Sequence, residues 1–285
     1  MQIVLKIVWK LVAAGALCFL LWLLLVRCKR KQTGFFGLAK YHYAHRGLHG
    51  NGVPENSLAA FRLAVEHGYG AELDVHLTKD GRLAVMHDEN LHRTAGVDRL
   101  LCECTAEELE PLRLQGTEEK IPYLEEVLPI FAGKTPLVIE LKAFRGNHAA
   151  LAQAVCAMLD EHPDVRFCIE SFDPRVLIWL KKHRPEIVRG QLSCNFYRDR
   201  SGISAATALA LTELLTNFLT VPHFVAYCGR DRRHFALTLC RRVWGVQEFR
   251  WTIRKEADAE QAIRDGAILI FEHCDPEGKP SCTTN

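Results

Sequence analysis

The sequence predicts an α/β chain: a TIM (β/α)8 barrel with a small insertion after its second strand, preceded by an N-terminal transmembrane helix. Three observations carry that prediction. Eight short apolar, β-rich runs alternate with helical stretches between residues 41 and 271. One excursion, at about 76–121, breaks the alternation. Residues 11–26, LVAAGALCFLLWLLLV, carry no charge at all. Alternating strand and helix implies a parallel sheet, and eight units of similar length favour closure over an open doubly wound sheet. The chain has 285 residues, room for one barrel of about 250 residues and an extension.

The uncharged stretch and the preceding IVLKIVW together approach the length of a bilayer span, although Lys6 and Lys10 interrupt them. The following VRCKRKQ offers no small-residue cleavage site, and Arg27 stands before Cys28 where a lipoprotein acceptor would need a different context. A retained anchor over 1–27 is therefore expected rather than a cleaved signal. Arg27, Lys29, Arg30 and Lys31 outnumber Lys6 and Lys10, which places the rest of the chain in the cytoplasm by the positive-inside rule. Eleven cysteines, an odd number without a framework, fit a reducing compartment. A net charge of +2 argues against a broad nucleic-acid footprint. The expected organisation is an anchor at 1–27, a basic linker at 28–40, a barrel at 41–274 and a tail at 275–285.

The eight runs are YHYAH (41–45), AELDV (71–75), PLVIEL (136–141), VRFCIE (165–170), IVRGQL (187–192), HFVAYC (223–228), QEFRWTI (247–253) and AILIF (267–271). Stretches such as NSLAAFRLAVEHG and NHAALAQAVCAMLDEH read as the helices between them. The insertion opens with LTKDGRLAVMHD, where Lys79-Asp80-Gly81 is a hairpin turn that folds 83–86 back antiparallel beside strand two. An excursion at a βα loop lies on the catalytic face of a barrel. Cys102 and Cys104 lack a second pair at zinc spacing and read as ordinary thiols.

Chemistry gathers at the strand ends. Glu72 and Asp74 are two apart on one strand and point to the same side. Glu140 ends the third run and can face the same point. Three carboxylates converging on an open rim suit a hard divalent cation, Mg²⁺ or Ca²⁺; the alternative is pairing with rim Arg or Lys. Lys142 and Arg46 add positive charge for an anionic group such as a phosphate, or neutralise the acids. His45 ends strand one and His87 ends the hairpin strand, a pair suited to general acid and base. His42, His49, His76 and His92 read as loop or surface residues. Glu170 is a further rim acid or a satisfied core acid, and Trp251 stacks on an organic leaving group or caps the barrel. The glycines of YAHRGLHGNGVPENS let backbone pass close to a phosphate.

These residues resemble the glycerophosphodiester phosphodiesterase family. The resemblance rests on AHRG (44–47), PENS (54–57), ELDVHLTKDGRLAVMHDENLHRT (72–94), IPYLEEVL (121–128), VIELK (138–142), ESFDP (170–174) and WTI (251–253), in that order. It implies a barrel that hydrolyses glycerophosphodiesters to glycerol 3-phosphate and an alcohol with a divalent metal. By motif position it implies Glu72, Asp74 and Glu140 as metal ligands, His45 and His87 as the acid–base pair, and Arg46 as a phosphate contact. Glu55 lines the metal site or is a turn acid beside a helix cap made by Asn56 or Ser57. Lys142 and Trp251 are carried as substrate-site candidates. The nucleophile is water or a free glycerol hydroxyl of the substrate. Arg254 stands where the family often has Asn, and LIFEHCDP (269–276) replaces its usual Thr-Asp-x-Pro; both bear on the leaving group.

An anchored member can instead take membrane lysophospholipids, as a lysophospholipase D. RKEADAE and HRTAGVDRLLCECTAEE show no greasy lip, which favours water-soluble substrates. A non-catalytic barrel that binds phosphodiesters is the reading of another class; it would be expected to lack an acid or a His, and none is missing.

Overall fold

A computed structural model of the chain describes residues 1–29, 36–198 and 202–276. Eight parallel strands close into a barrel: β1 (Tyr43–Ala44), β2 (Gly70–Leu77), β4 (Leu137–Leu141), β5 (Phe167–Ser171), β6 (Arg189–Ser193), β7 (Phe224–Cys228), β8 (Gln247–Ile253) and β9 (Ile268–Phe271). They pair in that order, and β1 closes the ring against both β2 and β9. The ninth strand, β3 (Leu83–Val85), runs antiparallel to β2, with Val75 opposite Val85. This is the fold-back expected of Lys79-Asp80-Gly81, and Gly81 takes the turn's positive φ of 86°.

Alternation along the strands divides the core in two. One set of side chains faces outward and packs under the helices, as Leu73, Val75, Ile139, Leu141 and Ile169 do. The other set fills the barrel: Tyr43, Val138, Cys168, Phe224, Phe249 and Ile268 form one cluster. Phe249 packs 4.4 Å from Phe224 and 5.6 Å from Tyr43, ring centroid to centroid. Gly190 makes room for this floor, since a Cβ there would lie 2.1 Å from the Phe224 ring.

The same parity places Glu72, Asp74, Glu140 and Glu170 on the inner side one layer above the floor. Register puts Asp74 beside Glu140 and Glu140 beside Glu170 on three neighbouring strands. The insertion builds a small core of its own from Ala84, Met86, Leu91, Leu101, Cys104, Leu109, Leu114, Ile121 and Tyr123. It rejoins the barrel at the helix Leu124–Phe131.

The helix Gln2–Leu25 is long and apolar enough to cross a membrane by length and composition, with residues 1–21 exposed. The chain after it is more than a spacer. Val26 and Cys28 are buried among Leu214, Val225, Tyr227, Ala236 and Cys240, and Phe36–Ala39 is helical. Arg30, Lys31 and residues 277–285 of the expected tail lie outside the described residues.

Candidate active site

Six segments meet over the barrel floor. His45 and Arg46 follow β1, Glu72 and Asp74 lie on β2, and His87 follows β3. Glu140 and Lys142 sit at the end of β4, and Glu170 on β5. With Phe172, Trp251 and Arg254, most of these residues line a single cavity of about 250 Å³ at the carboxyl ends of the strands.

Glu72, Asp74 and Glu140 are buried and offer oxygens all within 4.8 Å of one another. So many acids at such spacing cannot all be charged without a cation. Lys142 supplies one, reaching Asp74 Oδ1 at 3.1 Å and Glu140 Oε1 at 3.0 Å. Asp74 stays ionised: burial opposes this, but Lys142, His87, Arg46 and the Asn56 amide hold its carboxyl well below the usual range. Glu72 is pushed well above its ordinary value, first by burial and then by the charges of Asp74 and Glu140. Glu170 is likewise raised by burial, then by Glu140 and Asp74. Its Oε2 is buried without a hydrogen-bond partner. The cluster is thus short of positive charge and rich in hard oxygen donors, which fits a divalent cation.

The two imidazoles are held alike. His45 Nδ1 donates to Glu272 Oε2 at 2.5 Å, which turns Nε2 inward to 3.9 Å from Glu72. His87 Nδ1 donates to Asp88 Oδ1 at 2.6 Å. A carboxylate on Nδ1 selects the tautomer with a free Nε2. Burial lowers both pKa values, which favours the neutral form of either ring, able to accept a proton at Nε2.

The profile of the Glycerophosphoryl diester phosphodiesterase family matches residues 45–271. The chain belongs to this family. It is 32% identical over 244 residues to a glycerophosphodiester phosphodiesterase of Caldanaerobacter subterraneus, a match covering 82% of this chain and 93% of that one. A phosphodiesterase of Oleispira antarctica, solved with the product sn-glycerol-3-phosphate, superposes with a TM-score of 0.67 at 26% identity, covering 81% of this chain and 92% of that one. A human lysophospholipase D is 38% identical over 147 residues, 47% of this chain and 44% of its own length.

Against this family frame, the structure brings His45, Arg46, Glu72, His87, Glu140, Lys142 and Trp251 around one cavity, with Asp74 beneath. Glu55 stands aside. Its carboxylate takes Arg46 Nη1 at 2.8 Å and two donors of Arg93, at 2.9 and 2.6 Å. It buttresses Arg46 and does not join the acid cluster. Ser57 is the helix cap, accepting from Ala60 N–H at 3.1 Å, while Asn56 donates to Asp74 at 2.9 Å.

One expectation for histidine is corrected. His76 is buried on β2, on the same face as Asp74, where it is registered against Ala84 of β3 and its Nε2 lies 3.2 Å from the His87 carbonyl. His49 lies in the loop after β1, as expected, and folds in beside His45, with Nε2 3.6 Å from Glu272. The glycine expectation also changes at Gly47. A Cβ there would lie 2.7 Å from Ala60 Cβ, so this glycine, at φ 78°, admits the first outer helix rather than a phosphate. Glu272 is the residue that sequence reading missed. Its signal was the departure LIFEHCDP, where an acid follows directly on the last strand.

Proposed function

We propose that this chain is a membrane-anchored phosphodiesterase that hydrolyses glycerophosphodiesters to glycerol 3-phosphate and an alcohol. The observation that carries the reading is the convergence of three buried carboxylates within 4.8 Å on a cavity that also holds two carboxylate-backed imidazoles. Glu72, Asp74 and Glu140 hold a divalent cation, Mg²⁺ or Ca²⁺, which when bound supplies charge neutralisation and Lewis acidity at the phosphate. Arg46, kept in place by Glu55, and Lys142 bind the phosphodiester's anionic oxygens. One of His45 and His87 takes the proton of the attacking hydroxyl, from water or from the substrate's free glycerol. The other, already carrying a proton on Nε2 when the substrate binds, gives that proton to the departing oxygen and is left neutral. Trp251, packed edge-on against Phe172 at 5.6 Å, borders the head group.

Residues 1–27 anchor this domain, and the flanking Arg27 and Lys29 favour its placement on the cytoplasmic side. A second reading, hydrolysis of lysophospholipids, is supported by the similarity to the human lysophospholipase D and by the apolar helix beside the barrel. A substrate panel separates the two. Glycerophosphocholine, glycerophosphoethanolamine, glycerophosphoglycerol and a lysophospholipid are compared under Mg²⁺, Ca²⁺ and chelator. Metal-dependent release of glycerol 3-phosphate is expected; release undiminished by chelator rejects the proposed metal site.

A further inference from the structure

We infer that the catalytic rim rests on the membrane: the segments after β6 and β7 dock on anionic lipid headgroups, so the cavity mouth opens towards the bilayer. This rests on the reading of Gln2–Leu25 as a membrane span.

The first support is the direction in which that helix leaves the barrel. Lys29 N–H donates at 2.9 Å to the carbonyl of Pro222, two residues before β7 begins, so it lies at the amino-terminal end of the strands. Val26 accepts from Cys240 Sγ at 3.4 Å, and Cys28 Sγ accepts from Asn217 at the same distance. Further back, Trp22 stacks on Phe235 with ring centroids 5.1 Å apart. Phe235 stands just beyond the loop at the carboxyl end of β7. Cys18, Leu21 and Trp22 share a groove with Leu209 and Glu213. That level is the catalytic end: Tyr227 donates to the Thr212 carbonyl at 3.0 Å, and Ser193, the last residue of β6, to that of Leu211 at 2.7 Å.

Read from residue 29 back to 22, the chain therefore climbs from the amino-terminal to the carboxyl-terminal end of the barrel. The helix is unbroken, so the residues before it rise past the catalytic rim. The exposed stretch 1–21 spans about 32 Å at 1.5 Å per residue, the thickness of a bilayer's hydrocarbon core. A bilayer crossed by this helix lies over the active-site mouth.

The second support is the composition of the rim under that bilayer. Phe235 is 53% exposed, Leu209 46% and Tyr197 42%. Between them a groove of about 330 Å³ is lined by Arg198, Arg230, Arg232 and Arg233. Arg198 is paired with Asp231 at 3.0 Å. Among the described residues, Arg232 and Arg233 have no ion pair within 4 Å, and Arg230 also lines the catalytic cavity. Exposed aromatic and aliphatic groups interleaved with unpaired arginines suit the headgroup layer of an anionic membrane. Across the mouth, residues 86–120 of the insertion hold nine acids against four bases. An anionic surface repels that side, so the barrel leans on the side of Tyr197, Leu209 and Phe235 and the mouth stays open to lipid.

The test is hydrogen exchange, read by mass spectrometry, on the full chain in nanodiscs of phosphatidylcholine alone or with phosphatidylglycerol. Amides 202–215 and 229–237 should exchange at least several-fold more slowly on the anionic discs. The difference should vanish in the double variant Arg232→Glu/Arg233→Glu and in molar salt. Equal exchange on both discs, or protection of the opposite rim at 160–165 and 184–188, overturns the inference. The double variant should hydrolyse glycerophosphocholine in solution as the wild type does, yet cleave a lysophospholipid in anionic discs about tenfold more slowly. Slow exchange on anionic discs in a chain that cleaves no phosphodiester would count against the proposed function and leave the docking intact.

Discussion

Glu272 accepts a hydrogen bond from His45 Nδ1 at 2.5 Å, and the acid comes from the far end of the chain. β9 delivers it because β1 and β9 are neighbours, with Ala44 registered against Phe271. Burial works against the charge on Glu272, yet His45, His49 and Arg254 hold its carboxyl well below the ordinary range. The anion fixes the ring so that Nε2 faces the acid cluster. Glu272→Gln keeps the shape and loses the charge. It should lower kcat on the order of tenfold to a hundredfold with little change in KM. In a His45→Ala background the same substitution should cost almost nothing, because it acts through that ring. Additive losses in the double variant would remove Glu272 from this role.

The acid cluster trades stability for chemistry. Glu140→Gln removes one charge from a crowded set, so the metal-free protein should unfold at the same or a higher temperature than wild type. Its phosphodiesterase activity should fall by a hundredfold or more. Wild type should gain stability when a divalent cation is added, about 2.7 kcal/mol at a hundred times its dissociation constant. Glu140→Gln should gain little. Thermal unfolding with and without Mg²⁺ or Ca²⁺ measures both; an equal gain in the two proteins argues that the cation binds elsewhere.

The barrel was legible because its strands follow simple physics: short apolar runs at regular spacing, with acids at their carboxyl ends. Parity alone put Glu72 and Asp74 on one side. What stayed hidden depends on contacts between distant segments. His76 reads as a loop or surface residue until the insertion pairs with β2 beside it. Glu55 becomes a brace for Arg46 only when Arg93, in the insertion, arrives beside it. Val26 reads as the end of the anchor and Cys28 as linker because their partners lie some two hundred residues away in the chain, at Leu214, Val225 and Cys240.

The floor of the barrel makes a stability prediction free of the chemistry. At Gly190 a Cβ would lie 2.1 Å from Phe224 Cε2 and 2.2 Å from Cζ. Phe224 is fully buried and packs on Phe249, so the ring cannot yield easily. Gly190→Ala should cost at least about 1–3 kcal/mol, the usual range for overpacking. Phe224→Leu in the same chain should return part of it. Urea midpoints of the two single variants and the double variant report this, and a neutral Gly190→Ala would contradict the packing described.

His223 sets a pH dependence of stability away from the active site. It precedes β7, is buried, and its Nδ1 accepts the Arg189 backbone N–H at 3.2 Å. Burial first, then the charges of Arg189 and Lys29, push its pKa down to about 3. The folded protein therefore keeps this ring neutral, while the unfolded chain protonates it near pH 6.5. Between those values the unfolded state binds more protons, so stability rises with pH. The contribution is complete above pH 6.5 and is lost as pH falls from there towards 3, by at most about 1.4 kcal/mol per unit. His223→Gln keeps an acceptor and removes the titration. The difference in urea midpoint between wild type and variant should favour wild type most at pH 7.5 and shrink steadily to pH 5. A difference that is flat over that range would mean that His223 is already charged in the folded protein or exposed to solvent.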